Sequence, residues 1–286
     1  MDLTIIKKYQ SNYHRFQFEC NNKDNLKLFV CSDLHFDNPK CNRKLLFKHW
    51  DKALEVGAKI VITGDLFCLM QGMYDPRKNK SAIRPEHNGD NYLDLVINDT
   101  CEQFLKYAKN ILFISEGNHE SSVSRRSETA IMERFVERLN AMAGTKIQTG
   151  PYTGLYTLGF TYGGGRNRSL NVGYCHGLWG GIITKGALSV VRMASLMPDA
   201  DVVFSGHTHD GWIMTHPRYR FNRDQKKATI ENQWHIKTGT YKEEFVKGSG
   251  WAAERIGMPK YLGGCWFDIF YDSNKSHLET TFTLTH

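Results

Sequence analysis

A chain of 286 residues, 41% hydrophobic and 23% charged, can bury a core of its own, which excludes a disordered or fibrous polypeptide. Its formal net charge of +7, with histidines neutral, favours polyanionic partners such as nucleic acid but is silent about fold. Seven scattered cysteines without a CxxC pair speak against a disulfide framework or a zinc ribbon.

The opening Met1-Asp-Leu-Thr-Ile-Ile-Lys-Lys lacks the apolar core of a secretory leader. No apolar run approaches the roughly 18 residues of a membrane span. A cytoplasmic protein with no membrane partner is the expectation.

In chain order, the first apolar run, Leu26–Val30, reads as a buried strand and breaks into Ser32-Asp33-Leu34-His35. Arg43–Val56 then places Leu46, Trp50, Ala53 and Leu54 on one helical face, with Gly57 as the stop. A second strand, Ile60–Thr63, ends in Gly64-Asp65. Met70–Asn91 has no clear period and carries Pro76, Arg77, Lys78, Lys80, Arg84 and Pro85, so a basic insertion is expected at about 70–91. Tyr92–Lys109 returns to a helical stripe through Leu93, Val96, Ile97, Thr100, Phe104 and Ala108. Ile111–Ser115 is a third strand and leads into Gly117-Asn118-His119-Glu120. Ser127–Met142 aligns Ile131, Phe135 and Leu139 on one helix face, with Gly144 beyond its end.

Tyr162-Gly-Gly-Gly-Arg166 reads as a hairpin turn rather than a phosphate loop, because no Lys-Ser/Thr follows and no helix starts there. Asn171–Cys175 ends in His176-Gly177, and Val202–Ser205 ends in Gly206-His207-Thr208-His209. Pro217–Lys227, with Arg218, Arg220, Arg223, Lys226 and Lys227, reads as a wet basic loop. Beyond about residue 228, Gln233–Thr240, Cys265–Tyr271 and Leu278–Leu284 read as strands of a second, more antiparallel sheet packed on the first. Trp212, Trp234, Trp251 and Trp266 are read as packing residues rather than base-stacking ones. Strand–helix alternation makes the fold α/β, and no linker divides residues 1–286 into more than one domain.

The residues that follow the strands carry the chemistry. Asp33, His35, Asp65, Asn118, His119, His176, His207 and His209 each stand where a strand gives way to a loop, the edge at which open α/β sheets build sites. Carboxylate with imidazole suits manganese, iron or zinc and argues against an all-oxygen calcium site. A phosphate ester is anionic, so its hydrolysis needs charge neutralisation and a nucleophile near neutral pH, and two cations about 3.5–4 Å apart supply both. Cations that close need a bridging carboxylate. Asp65, the sole ligand-type residue at its strand end, is the candidate. For the His176 position, His14, His49, His87, His216 and His235 are competitors, and its place after a strand favours His176.

Taken together, Asp33-x-His35, Gly64-Asp65, Gly117-Asn-His-Glu120, His176 and Gly206-His-x-His209 resemble the calcineurin-like metallophosphoesterase superfamily over roughly residues 28–210, with Lys237-Thr-Gly-Thr240 similar to the strand that follows. The resemblance implies a two-sheet β sandwich flanked by helices in four αββα layers, two divalent ions (manganese first, iron or zinc as alternatives) and phosphoesterase activity. It implies Asp33, His35 and His209 on the first metal, Asp65 bridging, and Asn118, His176 and His207 on the second. His119 is implied to stabilise the transition state or protonate the leaving oxygen. Arg125 and Arg126 are candidates for a substrate phosphate.

Two departures stand out. Family members often carry Gly-Asp-x-x-Asp, whereas Cys68 fills that last place here, and the interval from Asp65 to Asn118 is long. The Asp65-Leu66-Phe67 stretch resembles the corresponding part of the superfamily's double-strand-break repair nucleases, and with the positive charge it makes DNA the expected substrate. A phosphomonoesterase, a small-molecule or cyclic nucleotide phosphodiesterase, and a non-catalytic scaffold of this fold are the alternatives.

Overall fold

The computed structural model describes residues 1–21, 23–70, 83–177, 184–222, 226–245, 258–272 and 277–285. Strand β3 (Asn25–Cys31) shows how the layers arise. Its side chains alternate, so Leu28 and Val30 face one hydrophobic layer while Phe29 and Cys31 face another. Strand β4 (Lys59–Thr63) repeats the device, with Val61 on one side and Ile60 and Ile62 on the other. Both strands are therefore covered on both faces, the condition for a parallel sheet.

That sheet runs parallel through β3, β4, β5 (Ile111–Ser115) and β6 (Gln148–Gly150). Strands β12 (Cys265–Asp272) and β13 (His277–Leu284) extend it antiparallel beyond β3, giving the order β13-β12-β3-β4-β5-β6. The second sheet has the order β1-β2-β7-β8-β9-β11-β10, built from β1 (Asp2–Gln10), β2 (Tyr13–Cys20), β7 (Thr153–Tyr162), β8 (Arg166–Cys175), β9 (Val202–Ser205), β10 (Gly211–Asn222) and β11 (Lys227–Thr238). Between the sheets lies an aromatic-rich layer including Phe16, Phe113, Tyr156, Tyr174, Phe204 and Phe267.

Helices α1 (Arg43–Glu55), α2 (Tyr92–Phe104) and α4 (Ile131–Ala143) close the outer face of the first sheet through Trp50, Phe104 and Phe135. Asn42 caps α1 by accepting from the Leu45 amide, and Gly57 and Gly144 take the left-handed backbone just past the ends of α1 and α4, as expected of stop residues. Helix α5 (Ser189–Leu196) covers part of the second sheet through Met193. The result is the expected α/β fold, a two-sheet sandwich flanked by helices. Among the described residues no helix is long and apolar enough to cross a membrane.

Three expectations need correction. The C-terminal strands do not form a sheet of their own: β11 joins β9 in the second sheet, whereas β12 and β13 pair onto β3 in the first. The helix read from Ser127 starts at Ile131, because Glu128 adopts a left-handed backbone (φ 49°) that ends the preceding helix α3 (Asn118–Ser127). The 217–227 loop is a hairpin: its residues up to Asn222 belong to β10, in unbroken register with β11 from Asn222↔Lys227 to Gly211↔Thr238. The Tyr162–Arg166 turn does join β7 to β8. Part of the basic 70–91 segment lies outside the described residues, as does Trp251. Its described end is stitched to the loop after His35, where Arg84 donates to the Asn38 carbonyl at 2.9 Å.

Candidate metal centre

The carboxyl ends of β3, β4, β5, β8 and β9 meet at one edge of the sandwich, and the ligand-type residues beyond them converge there. Asp33, His35, Asp65, His207 and His209 all adopt left-handed backbone, with φ from 46° to 71°. Such angles are unfavourable for side-chain-bearing residues and concentrate at functional sites. The tight packing also dictates glycine. A Cβ on Gly117 would stand 2.1 Å from Asp65 Oδ1, and one on Gly206 would stand 2.2 Å from Asp33 Oδ2.

Two trios of potential ligands result, each with its ligand atoms within 4.8 Å of one another: Asp33 with His35 and His209, and Asp65 with His176 and His207. They share walls. Asp33 Oδ1 lies 3.4 Å from His209 Nε2 and 3.7 Å from His176 Nε2, and His176 Nε2 is 3.0 Å from Asp65 Oδ2. Asn118 Oδ1 accepts from His207 Nδ1 at 2.7 Å, which joins it to the second trio. All seven expected metal-ligand positions are thus together. The competing histidines are not among these clusters, apart from His87, which groups elsewhere with Glu86 and Asp99. His14 stacks on Phe16, and His49 bonds Tyr241.

Two buried carboxylates side by side draw positive charge toward them. Burial works against charge on every group here, yet pairing overrides it at His176, His209 and the two aspartates. His176 rises to about 9 beside Asp65 and Asp33, and His209 rises to about 9 between Asp33 and Glu244. Both aspartates are held below the usual carboxylate range by the imidazolium groups. By contrast, burial drives His35 well below its ordinary value and His207 down to about 4. The buried His35 Nδ1, which has no hydrogen-bond partner, and the face-to-face Nε2 atoms of His35 and His209 at 3.2 Å fit a donor set arranged for cations rather than for itself.

His119 stands apart from both trios. Its Nδ1 donates to the Cys68 carbonyl at 2.5 Å, which orients Nε2 toward Asp65 Oδ2 at 3.8 Å. The departure at Cys68 is therefore accommodated by the main chain. Asp37 accepts from the Cys68 and Leu69 amides and from the Tyr92 hydroxyl, pinning the loop that carries this carbonyl. The Cys68 thiol groups with His35 and His119, but burial pushes it up to about 12, so it is no thiolate. Leu66 and Phe67 are fully buried, with Phe67 edge-on to Phe135, so the nuclease-like stretch at 65–67 serves the core apart from its aspartate. Arg125 and Arg126 are exposed on the last turn of α3. Arg125 is seven residues past Asn118 on the same helix face, roughly 10 Å along the axis.

Several supporting residues escape a sequence reading. Glu120 accepts from the Gly117 and Phe67 amides and ties the start of α3 to the Asp65 loop. Its place in Gly-Asn-His-Glu was a usable signal. Lys237 donates to the Gly206 carbonyl at 2.5 Å. Glu244 lies 3.3 Å from His209 Nδ1 and 2.7 Å from Lys242 Nζ, brought in by a strap that bonds the Asp33 carbonyl through Tyr241 and Thr240. Nothing local in the sequence marks Glu244.

The family model of calcineurin-like phosphoesterase matches residues 26–211, the span holding both trios. Among solved structures, the chain is similar to a calcineurin-like phosphoesterase from Bacillus subtilis (12% identity, 91% of this chain and 90% of that one, TM-score 0.40). It is also similar to a GAP50 protein described as the anchor in the inner membrane complex of Plasmodium (11%, 91% and 84%, 0.43). A third is a metallophosphoesterase from Sphaerobacter thermophilus (14%, 91% and 90%, 0.34). No curated protein is matched.

Proposed function

The chain belongs to the calcineurin-like phosphoesterases and is a metal-dependent phosphoester hydrolase, and from that premise we propose that it is a two-metal phosphodiesterase acting on DNA. The observation that carries the two-metal reading is the pair of adjoining ligand trios, one built on Asp33 and the other on Asp65, with His176 Nε2 within 3.7 Å of Asp33 and 3.0 Å of Asp65. Asp33, His35 and His209 would hold one cation and Asn118, His176 and His207 the other, with Asp65 the carboxylate common to both. The donor set of carboxylate, amide and imidazole suits manganese, with iron or zinc as alternatives.

Divalent cations held by these residues would supply charge neutralisation for the phosphate and an acidified water as nucleophile near pH 7. The remaining work falls to the chain. His119, its Nδ1 committed to Cys68, presents Nε2 to protonate the leaving oxygen. Arg125 lies where it can hold a phosphate farther along a strand. Glu244 fixes the tautomer and orientation of His209. Glu244→Gln is expected to weaken manganese binding about 10–100-fold in calorimetry, and unchanged affinity would leave Glu244 a partner of Lys242 only.

Net charge supports nucleic acid as the substrate, and the seven buried, unpaired thiols support a cytoplasmic setting. The experiment is hydrolysis of a labelled DNA strand and of a nitrophenyl phosphodiester, each with manganese, from about 50 to 200 mM salt. DNA cleavage should fall steeply with salt while ester turnover barely moves, because only DNA binding releases condensed counterions. Ester turnover without DNA cleavage would point to a small-molecule substrate.

A further inference from the structure

The β10–β11 hairpin begins two residues past His209 and carries an uncovered apolar face. Directly opposed residues of an antiparallel pair share a face, so Tyr219 with Ile230 and Phe221 with Ala228 lie on one side. Near the sandwich the same face is packed, as Ile213 and Ile236 join the inter-sheet layer and Trp234 packs at a tilt on Phe282 of β13, with ring centroids 5.1 Å apart. Farther out the cover stops. Tyr219 is 76% exposed, Phe221 64% and Ile230 77%. Exposed aromatics clustered this way mark a binding surface rather than ordinary surface scatter.

The surroundings indicate the occupant. Lys226 is exposed just before β11 begins, and Lys227, opposite Asn222, is exposed on the reverse face. On the reverse face Arg218 and Arg220 are partly matched by Asp201, Glu231 and Asp199. Pro217, in the sheet-edge strand β10, opposes strand addition by another chain. Two aromatic rings at i and i+2 stand roughly 7 Å apart on a flat strand face, a platform on which successive unpaired bases stack while lysines meet the phosphates.

We infer that the outer β10–β11 hairpin is a binding platform for single-stranded nucleic acid, with bases on Tyr219 and Phe221 and phosphates at Lys226, the backbone continuing around the strand edge to Lys227 on the reverse face. This rests on the nucleic-acid reading of the metal centre and extends it. Tyr219 lies eight residues beyond Gly211, roughly 27 Å along the strand, so a bound strand reaches the centre only if it is several nucleotides long. The platform therefore favours oligonucleotides and does nothing for a small ester.

The test is anisotropy at 4 °C with a 20-nucleotide oligothymidylate, alongside nitrophenyl phosphodiester turnover, for wild type, the double variant Tyr219→Ala/Phe221→Ala, and Lys226→Glu/Lys227→Glu. The aromatic variant is expected to lose affinity by roughly 10²-fold with ester turnover unchanged. The charge variant should lower the slope of log affinity against log salt by about 1–2. Unchanged affinity in both variants would overturn the platform while leaving the nuclease reading intact, and a wild type that binds no oligothymidylate would overturn both. Two other results would also overturn it: a wild-type dimer that the aromatic variant dissociates without loss of DNA affinity, or flotation with phosphatidylglycerol vesicles that depends on Tyr219 and Phe221 while DNA affinity does not.

Discussion

Replacing Asp65 with alanine is expected to bring phosphoester turnover below detection and to lower the bound divalent metal. The carboxylate lies 3.0 Å from His176 and receives the His119 amide at 3.0 Å, so it joins β4, β5 and β8 at one point. On the proposed assignment its removal would take away the group that would span both cations, and the nearby carboxylates are committed elsewhere. Asp33 is held by Ser32 and by the His207 amide, and Glu120 is committed to the Gly117 and Phe67 amides. Two cations without a bridging carboxylate would repel each other more strongly, so the loss is expected in occupancy as well as rate. Elemental analysis of the purified variant with steady-state kinetics in excess manganese checks both parts. Full occupancy with wild-type kcat would remove Asp65 from the centre.

The second large effect has the opposite signature. His119→Ala is expected to keep wild-type metal content while kcat falls by a factor on the order of 10²–10⁴, the usual worth of a positioned acid. Outside both ligand trios, with Nδ1 on the Cys68 carbonyl, the imidazole supports the site without building it. An ester with a leaving group acidic enough to depart unprotonated should be far less sensitive to the substitution. Equal losses on activated and unactivated esters would assign His119 to charge stabilisation of the phosphoryl group instead, and loss of both metals would make it a ligand.

What the sequence displayed of this molecule follows from its physics. Buried parallel strands are continuous apolar runs, and each one that feeds the site ends in a residue of ligand type, so β3, β4, β5, β8 and β9 and their Asp, Asn and His followers stood out together. Strand β1 had no such contrast, because most of its residues are exposed. Strand β10 is charged and interrupted by Pro217, so it read as a loop although twelve register pairs hold it to β11. The partition of late strands between sheets depended on pairings as distant as Cys265 with Val30, which local periodicity does not encode. Helix α3 was hidden for another reason: its first turn is the Asn-His-Glu motif, polar and functional rather than amphipathic. Glu244 and Asp37 act through the fold alone, since what distinguishes them is what they touch.

Anomalous diffraction at the manganese edge from crystals soaked in that ion tests the central assignment most directly. The account predicts two peaks about 3.5–4 Å apart, one against Asp33, His35 and His209, the other against Asn118, His176 and His207, with Asp65 reaching both. A lone peak, or a pair seated away from Asp65, would contradict it.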